Sequence, residues 1–244
     1  YTSSGIETRH SVLGDFLEDK PGNLFRTDAD GRSVEPGSRA RNDRYIGESR
    51  KLATGVARLA LERCGLAQAD ITHLVTMSCT GFSNPGVDYF ILRDLGLRPS
   101  VARFALGFMG CYAAIPALRM ARDFCLADPA AVVLVVSVEL CSLHLHFGQG
   151  VDALLANALF ADGAAAAVIS GGPPDGARTG LRLDSFASAI IPEGEKDMAW
   201  RIGDKGFEIA LSAYVPDLIG RNIRSVLTPI LAGIGLTTRD INLW

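Results

Sequence analysis

The chain has 244 residues, 48% hydrophobic and 21% charged, with a net charge of -3 and a pI near 5.8. That balance belongs to a globular chain long enough for a sizeable core, and it excludes disordered and fibrous classes. No Lys/Arg-rich run makes a case for nucleic acid or an anionic membrane, and no apolar stretch approaches the ~20 residues of a membrane-spanning helix.

Residues 1–45, with Gly22, Asp28, Asp30, Gly31, Pro36 and Gly37, read mostly as loop and turn. Leu52, Val56, Leu59 and Ala60 recur at helical spacing and predict a helix from Glu48 to Cys64, stopped by Gly65. A strand follows at Ile71–Met77, then a helix at Val87–Leu95 opened by Pro85 and Gly86 and closed by Gly96. Next come a strand at Val101–Leu106 and a helix from Cys111 to about Leu126, with Pro116 loosening its first turns. Ala130–Val138 is almost wholly apolar and predicts the central strand, buried on both faces.

Asp152–Leu159 predicts a short helix and Ala164–Ile169 a strand, whereas Leu181–Ile190 and Trp200–Ile209 read as a β-rich excursion. A last helix spans about Val215–Ala232, and Thr238–Trp244 reads as the start of a strand. The alternation predicts an α/β fold with a parallel or mixed sheet covered by helices. Because it starts at Tyr1 without a methionine and stops inside an apolar strand, the chain is expected to be an internal piece of a longer protein. Five cysteines, at 64, 79, 111, 125 and 141, are odd in number and lack zinc-type spacing, which predicts reduced thiols and a cytoplasmic protein.

Cys111 is the foremost candidate for chemistry. The string Phe104–Ala114 reads as strand, tight turn with Gly107 and Gly110, and helix N-terminus. Unpaired amides and the helix dipole at such a terminus favour thiolate over thiol and are expected to lower the thiol pKa. The competing assignment is a small buried hydrophobe in a packed turn, the commoner role of a free cysteine. Cys141, His144 and His146 invite a metal site, but in an extended segment Cys141 points away from the two histidines and no fourth ligand lies nearby; no metal is expected. Asp162 and Gly163, followed by small residues, lack a phosphate-loop layout and read as tight packing, and Gly171–Asp175 as an exposed loop. Neither His10 nor His73 is marked as a base for Cys111; His73 reads as structural.

Several long strings, in order, resemble one family. They are Gly5–His10, Cys79-Thr80-Gly81-Phe82-Ser83-Asn84-Pro85-Gly86-Val87-Asp88-Tyr89, Leu95–Ser100, Met109-Gly110-Cys111-Tyr112-Ala113-Ala114 and Ala158–Ala164. The chain resembles the type III polyketide synthases, chalcone synthase-like enzymes, in their bacterial form. The resemblance implies a thiolase-like fold of αβαβα layers with mixed sheets, residues 1–170 being the N-terminal half and 171–244 the start of a second. It implies a homodimer that needs no metal or organic redox cofactor and takes acyl-CoA and malonyl-CoA as substrates.

By the same resemblance Cys111 is the nucleophile that carries the growing chain as a thioester, and Phe160 gates the passage between the CoA tunnel and the reaction cavity. Cys79, Thr80, Cys141, His144 and Trp200 fall on the cavity wall, and Asn84 on a loop reaching toward a partner subunit. Plant members carry threonine where this chain has Cys79, Cys141 and His144, so plant product specificity does not transfer. Ser3 and Ser4 supply none of the basic charge that holds CoA phosphates in the family. The family's catalytic His, in a His-Pro-Gly-Gly string, and its later Asn fall outside these 244 residues, so this polypeptide alone is expected not to condense malonyl-CoA. The rivals are a ketoacyl-ACP synthase III-like condensing enzyme, against which the Gly81–Tyr89 string argues, and a non-catalytic thiolase-fold subunit.

Overall fold

A computed structural model describes residues 4–16, 24–148, 150–172 and 180–241. Its core is a four-stranded mixed sheet of β3 (His73–Ser78), β4 (Ala102–Gly107), β5 (Val132–Leu140) and β6 (Asp162–Ser170), in the order β4-β3-β5-β6. β3 runs parallel to both β4 and β5, while β6 returns antiparallel to β5 with Leu140 opposite Asp162. The α/β class and mixed sheet expected from the alternation are therefore present. β5 is buried on both faces: Leu134, Val136, Val138 and Leu140 pack into one core, Val133 and Val135 into the other. Each fully buried side chain of this kind contributes about 1.5–3 kcal/mol.

The first core lies under α1 (Ser38–Cys64) and α2 (Val87–Leu95), the second under α3 (Ala114–Ala127). Together they make three layers, helix, sheet and helix. α3 approaches closely because Ala117, Ala121 and Cys125, four apart, form its buried stripe. Pro116 is the third residue of that helix, in the first turn, where its missing N–H leaves no intrahelical bond unmade. Short strands β1 (Arg26–Thr27) and β2 (Ser33–Val34) precede α1; α4 (Val151–Leu159) joins β5 to β6; a hairpin of β7 (Met198–Gly203) and β8 (Gly206–Leu211) leads to α5 (Val215–Ala232).

Four expectations need correction. α1 begins at Ser38, ten residues before Glu48, and its buried stripe runs through Arg41, Tyr45, Ser49, Ala53, Ala57 and Leu61, while Leu59 is exposed. Polar and small residues carry that stripe, so apolar periodicity detected only its second half. Leu181–Ile190 forms no strand; Leu181 and Ile190 are exposed and the β structure is confined to the hairpin. Cys141–His144 is a 3-10 turn rather than an extended segment. Thr238–Asp240 is also a 3-10 turn, closed by Thr237 and Asp240 capping each other, in place of a strand start. Asn242, Leu243 and Trp244, Pro173–Asp175 of the expected loop, and Ser3 lie outside the described residues.

Candidate active site

The C-terminal ends of β3, β4 and β5 converge, and the residues that follow them build the site. After β4 the chain turns through Phe108 and Gly110, both with positive φ (55° and 72°), into a 3-10 turn Cys111–Ala113 that runs directly into α3. The strand, turn and helix expected around Cys111 are thus in place, with a turn of 3-10 geometry between Gly110 and the α-helix. Cys111 is exposed, unlike the small buried hydrophobe of the competing assignment.

After β3, Cys79 and Thr80 are anchored by Glu139, near the end of β5. The Cys79 N–H donates to both carboxylate oxygens, at 2.8 and 3.0 Å, and the Thr80 hydroxyl donates to one at 2.7 Å. Burial pushes the Glu139 carboxyl above its ordinary pKa, against the lowering effect of these donors. Gly81 lies flat against Tyr45, where a Cβ would fall 2.2 Å from the ring. Thr80 Oγ1 accepts in turn from the Leu140 amide at 2.8 Å.

His144, at the end of the turn after β5, is buried and fixed from both sides. The Phe207 N–H donates to Nδ1 at 3.0 Å, so Nε2 carries the hydrogen and donates to the Thr80 carbonyl at 2.7 Å. The ring stacks on Phe207 with centroids 4.2 Å apart and meets Trp200 edge-on at 5.6 Å. Trp200 donates through Nε1 to the Cys79 carbonyl at 2.8 Å. The β7–β8 hairpin is thereby tied to the β3 turn through a histidine and a tryptophan.

Burial pushes the His144 pKa down to about 4, and the cationic Arg41 acts in the same direction. The ordinary value is 6.5, so the unfolded chain takes up a proton that the folded chain refuses as pH falls through that window. Stability contributed by neutral His144 is complete above pH 6.5 and is lost progressively toward pH 4, by roughly 3 kcal/mol. Denaturant melts of wild type and His144→Gln between pH 4 and 7 check this. The wild-type curve should fall more steeply, and parallel curves would refute the assignment.

A cavity of about 240 Å³ gathers Cys141, His144, Phe160 and Trp200, with Glu7, His10 and Asn157 among its other walls. Four of the residues singled out from sequence therefore share one space. Cys79 and Thr80 do not line it but are bonded to its walls through Trp200 and His144. Cys111 also lies outside the lining, linked to it through the Gly110 amide, which donates to Cys79 Sγ at 3.1 Å. Phe160, directly after α4, is half-buried. Asn84, exposed and followed by a cis bond to Pro85, lies on the loop before α2, away from that cavity. Burial raises the Cys141 pKa to about 12, helped by Glu139 and Asp162, which leaves it a thiol.

His146 does not join Cys141 and His144 in a ligand set; its Nδ1 faces Glu35 at 3.2 Å and its Nε2 the Phe207 carbonyl at 3.1 Å. Among the described residues no group of three or more His, Cys, Asp or Glu side chains is placed to hold a metal ion. Asp162, read as tight packing, is a tether: it accepts from the Val12 amide at 2.8 Å and from the Ser142 amide and hydroxyl at 2.7 and 2.6 Å. His73 is structural as expected, stacked on Phe124 at 4.7 Å.

Sequence reasoning missed Glu139 and Phe207. A lone acid at the end of the apolar run that forms β5 was a usable signal for the first. Phe207 gave none beyond the alternation of its hairpin.

A mixed sheet whose strand ends deliver an exposed cysteine at the head of a helix, near a small half-open cavity, fits a thiolase-like fold of the condensing type. Residues 2–173 match the family of chalcone and stilbene synthases, N-terminal domain, and the chain belongs to that family, the type III polyketide synthases. It is 33% identical over 230 residues to a 1,3,6,8-tetrahydroxynaphthalene synthase of Streptomyces griseus, covering 94% of this chain and 56% of that protein. With the alpha-pyrone synthesis polyketide synthase-like Pks18 of Mycobacterium tuberculosis it shares 35% identity over 195 residues, covering 79% of this chain and 50% of the relative. The crystal structure of 1,3,6,8-tetrahydroxynaphthalene synthase from Streptomyces coelicolor A3(2), a bacterial type III polyketide synthase, superposes with a TM-score of 0.84 at 30% identity, over 99% of this chain and 64% of that one. The chain thus spans little more than half the length of these curated relatives. The thiolase-like fold is the expected one, and the described residues build three of its layers. The family match is to the polyketide branch, and the ketoacyl-ACP synthase reading is not favoured.

Proposed function

We propose that the chain is the nucleophile-bearing part of a type III polyketide synthase, in which Cys111 accepts an acyl group from an acyl-CoA starter. The thiol sulfur attacks the starter's thioester carbonyl, the bond to CoA breaks, and CoA leaves as its thiol. Malonyl-CoA then loses carbon dioxide, and its α-carbon attacks the Cys111 thioester, freeing the sulfur for the next round. Sulfur suits both halves of the cycle because a thiolate attacks and leaves readily. The observation that carries this reading is the gathering of Cys141, His144, Phe160 and Trp200 around one cavity, coupled through Cys79 to the turn that presents Cys111.

In this reading the half-buried Phe160 ring excludes water and favours release of neutral carbon dioxide over retention of the charged carboxylate. His144 and Trp200, bulky and held by hydrogen bonds, set the length of chain the cavity admits. Residues 1–170 act as the N-terminal half and 171–244 as the opening of the second. Family membership supports a homodimer whose contact includes the exposed Asn84 loop, and five free cysteines are in keeping with a cytoplasmic location. Among the described residues no helix is long and apolar enough to cross a membrane.

None of the four histidines precedes Pro-Gly-Gly. The 244-residue polypeptide should therefore stop at the acyl-enzyme stage, without the donors that activate malonyl decarboxylation. Incubation with a radiolabelled acyl-CoA and malonyl-CoA tests this: label should appear on the Cys111 peptide, with no chain-extended product. Absence of acylation would favour a non-catalytic subunit, and extended products would refute the stop.

A further inference from the structure

Cys79 is bonded at three points to three different parts of the molecule. Its amide donates to Glu139 at the end of β5, its carbonyl accepts from Trp200 of β7, and its sulfur accepts from the Gly110 amide at 3.1 Å. The Gly110 amide belongs to the turn immediately before Cys111, in which Phe108 holds a left-handed conformation, φ 55°, that costs a non-glycine residue about 1–2 kcal/mol. A backbone donor turned inward by such a turn needs an acceptor. Cys79 Sγ is that acceptor.

We propose that Cys79 is a positioning residue for Cys111: its sulfur binds the Gly110 amide of the preceding turn and so fixes the direction in which the nucleophile leaves the sheet. Glu139, holding the Cys79 amide with both oxygens, anchors the device from below. Burial and the neighbouring Glu139 raise the Cys79 pKa, so at neutral pH the group is a thiol that accepts from the turn rather than a second nucleophile competing with Cys111. Without an acceptor, the Gly110 amide loses its partner and the strained turn has less to hold it. The inference takes Cys111 as the reactive thiol of the proposed function, but its test reads the turn and not the condensation.

Valine and threonine are nearly the same shape and differ here in one respect, the acceptor oxygen. Alkylation of Cys111 by iodoacetamide, followed by peptide mass spectrometry and normalised to Cys64 in the same sample, is compared for wild type, Cys79→Val and Cys79→Thr. The valine variant should react at Cys111 roughly fivefold more slowly, the effect of about one hydrogen bond, and the threonine variant within about twofold of wild type. Should Cys79→Val not fold, Cys79→Ala against Cys79→Ser makes the same comparison. Equal Cys111 rates in valine variant and wild type, or equal slowing by threonine and valine, would overturn the proposal. Failure of acyl-CoA to label a normally alkylating Cys111 would count against the proposed function instead.

Discussion

Cys111→Ala should abolish covalent labelling of the chain by acyl-CoA, and Cys111→Ser should reduce it at least about 10³-fold, because a serine hydroxyl is not ionised near neutral pH. The other four thiols offer no substitute. Cys125 is buried with its sulfur 3.5 Å from the Ala131 carbonyl, and burial raises its pKa. Burial likewise raises Cys79, and takes Cys141 to about 12. Cys64 is half-buried, its sulfur 3.3 Å from the Leu61 carbonyl. Cys111 alone of the five is exposed, so in wild type it should also be alkylated first. Since Cys111 is exposed, both variants should melt within about 1 kcal/mol of wild type. Label on any other cysteine, or equal alkylation of all five, would remove Cys111 from its role.

The parts of this site legible in the sequence were those carried by local pattern. Gly107 and Gly110 between an apolar run and an alanine-rich helix marked the nucleophile's turn, and Gly96, in the left-handed conformation at φ 67°, marked the end of α2. What pattern could not show was which distant side chains meet. His144 and Phe207 are 63 residues apart, and their bond depends on how a hairpin folds back across the sheet. Glu139, one residue past the expected end of the central strand, stood out as a lone acid, but its partners in the β3 turn lie about 60 residues away and could not be read from it. The first half of α1 was hidden for a different reason: Arg41, Tyr45 and Ser49 face inward at helical spacing, and Arg41 can be buried only because carbonyls far along the chain satisfy it. Resemblance to a family bridged part of this gap by naming wall residues such as Cys141 and Trp200, although it was silent on what holds them.

Arg41 is the residue whose loss should cost most in stability. It is fully buried, and its guanidinium donates to the Pro36 carbonyl at 2.9 Å and to the Leu143 and Leu145 carbonyls at 2.5 and 2.9 Å, with the Glu35 carboxylate 3.8 Å away. Leu143 and Leu145 flank His144, so α1 grips the turn that carries the cavity's histidine. Burial is unfavourable to the charge and lowers the Arg41 pKa to about 10, with Glu35 opposing the shift. Glu35 is pushed up by burial, yet the Phe147 amide and His146 ahead of Arg41 hold it below its ordinary value. Arg41→Met leaves three carbonyls and a half-buried carboxylate without their cation, and should cost about 3 kcal/mol or more, a fall in melting temperature of roughly 6–12 °C. Arg41→Lys should recover little of it, since an ammonium on a single stem cannot reach carbonyls on two sides as the planar fork does. Glu35→Gln should cost only about 1 kcal/mol, because the three carbonyl bonds of Arg41 remain. Acylation of Cys111 by acyl-CoA should survive in Arg41→Met below its melting point, because Cys111 hangs from β4 and α3 and not from the turn that Arg41 grips. Thermal melts of the three variants beside wild type decide the matter: an Arg41→Met midpoint within 2 °C of wild type would show that this buried cation is not what holds the turn.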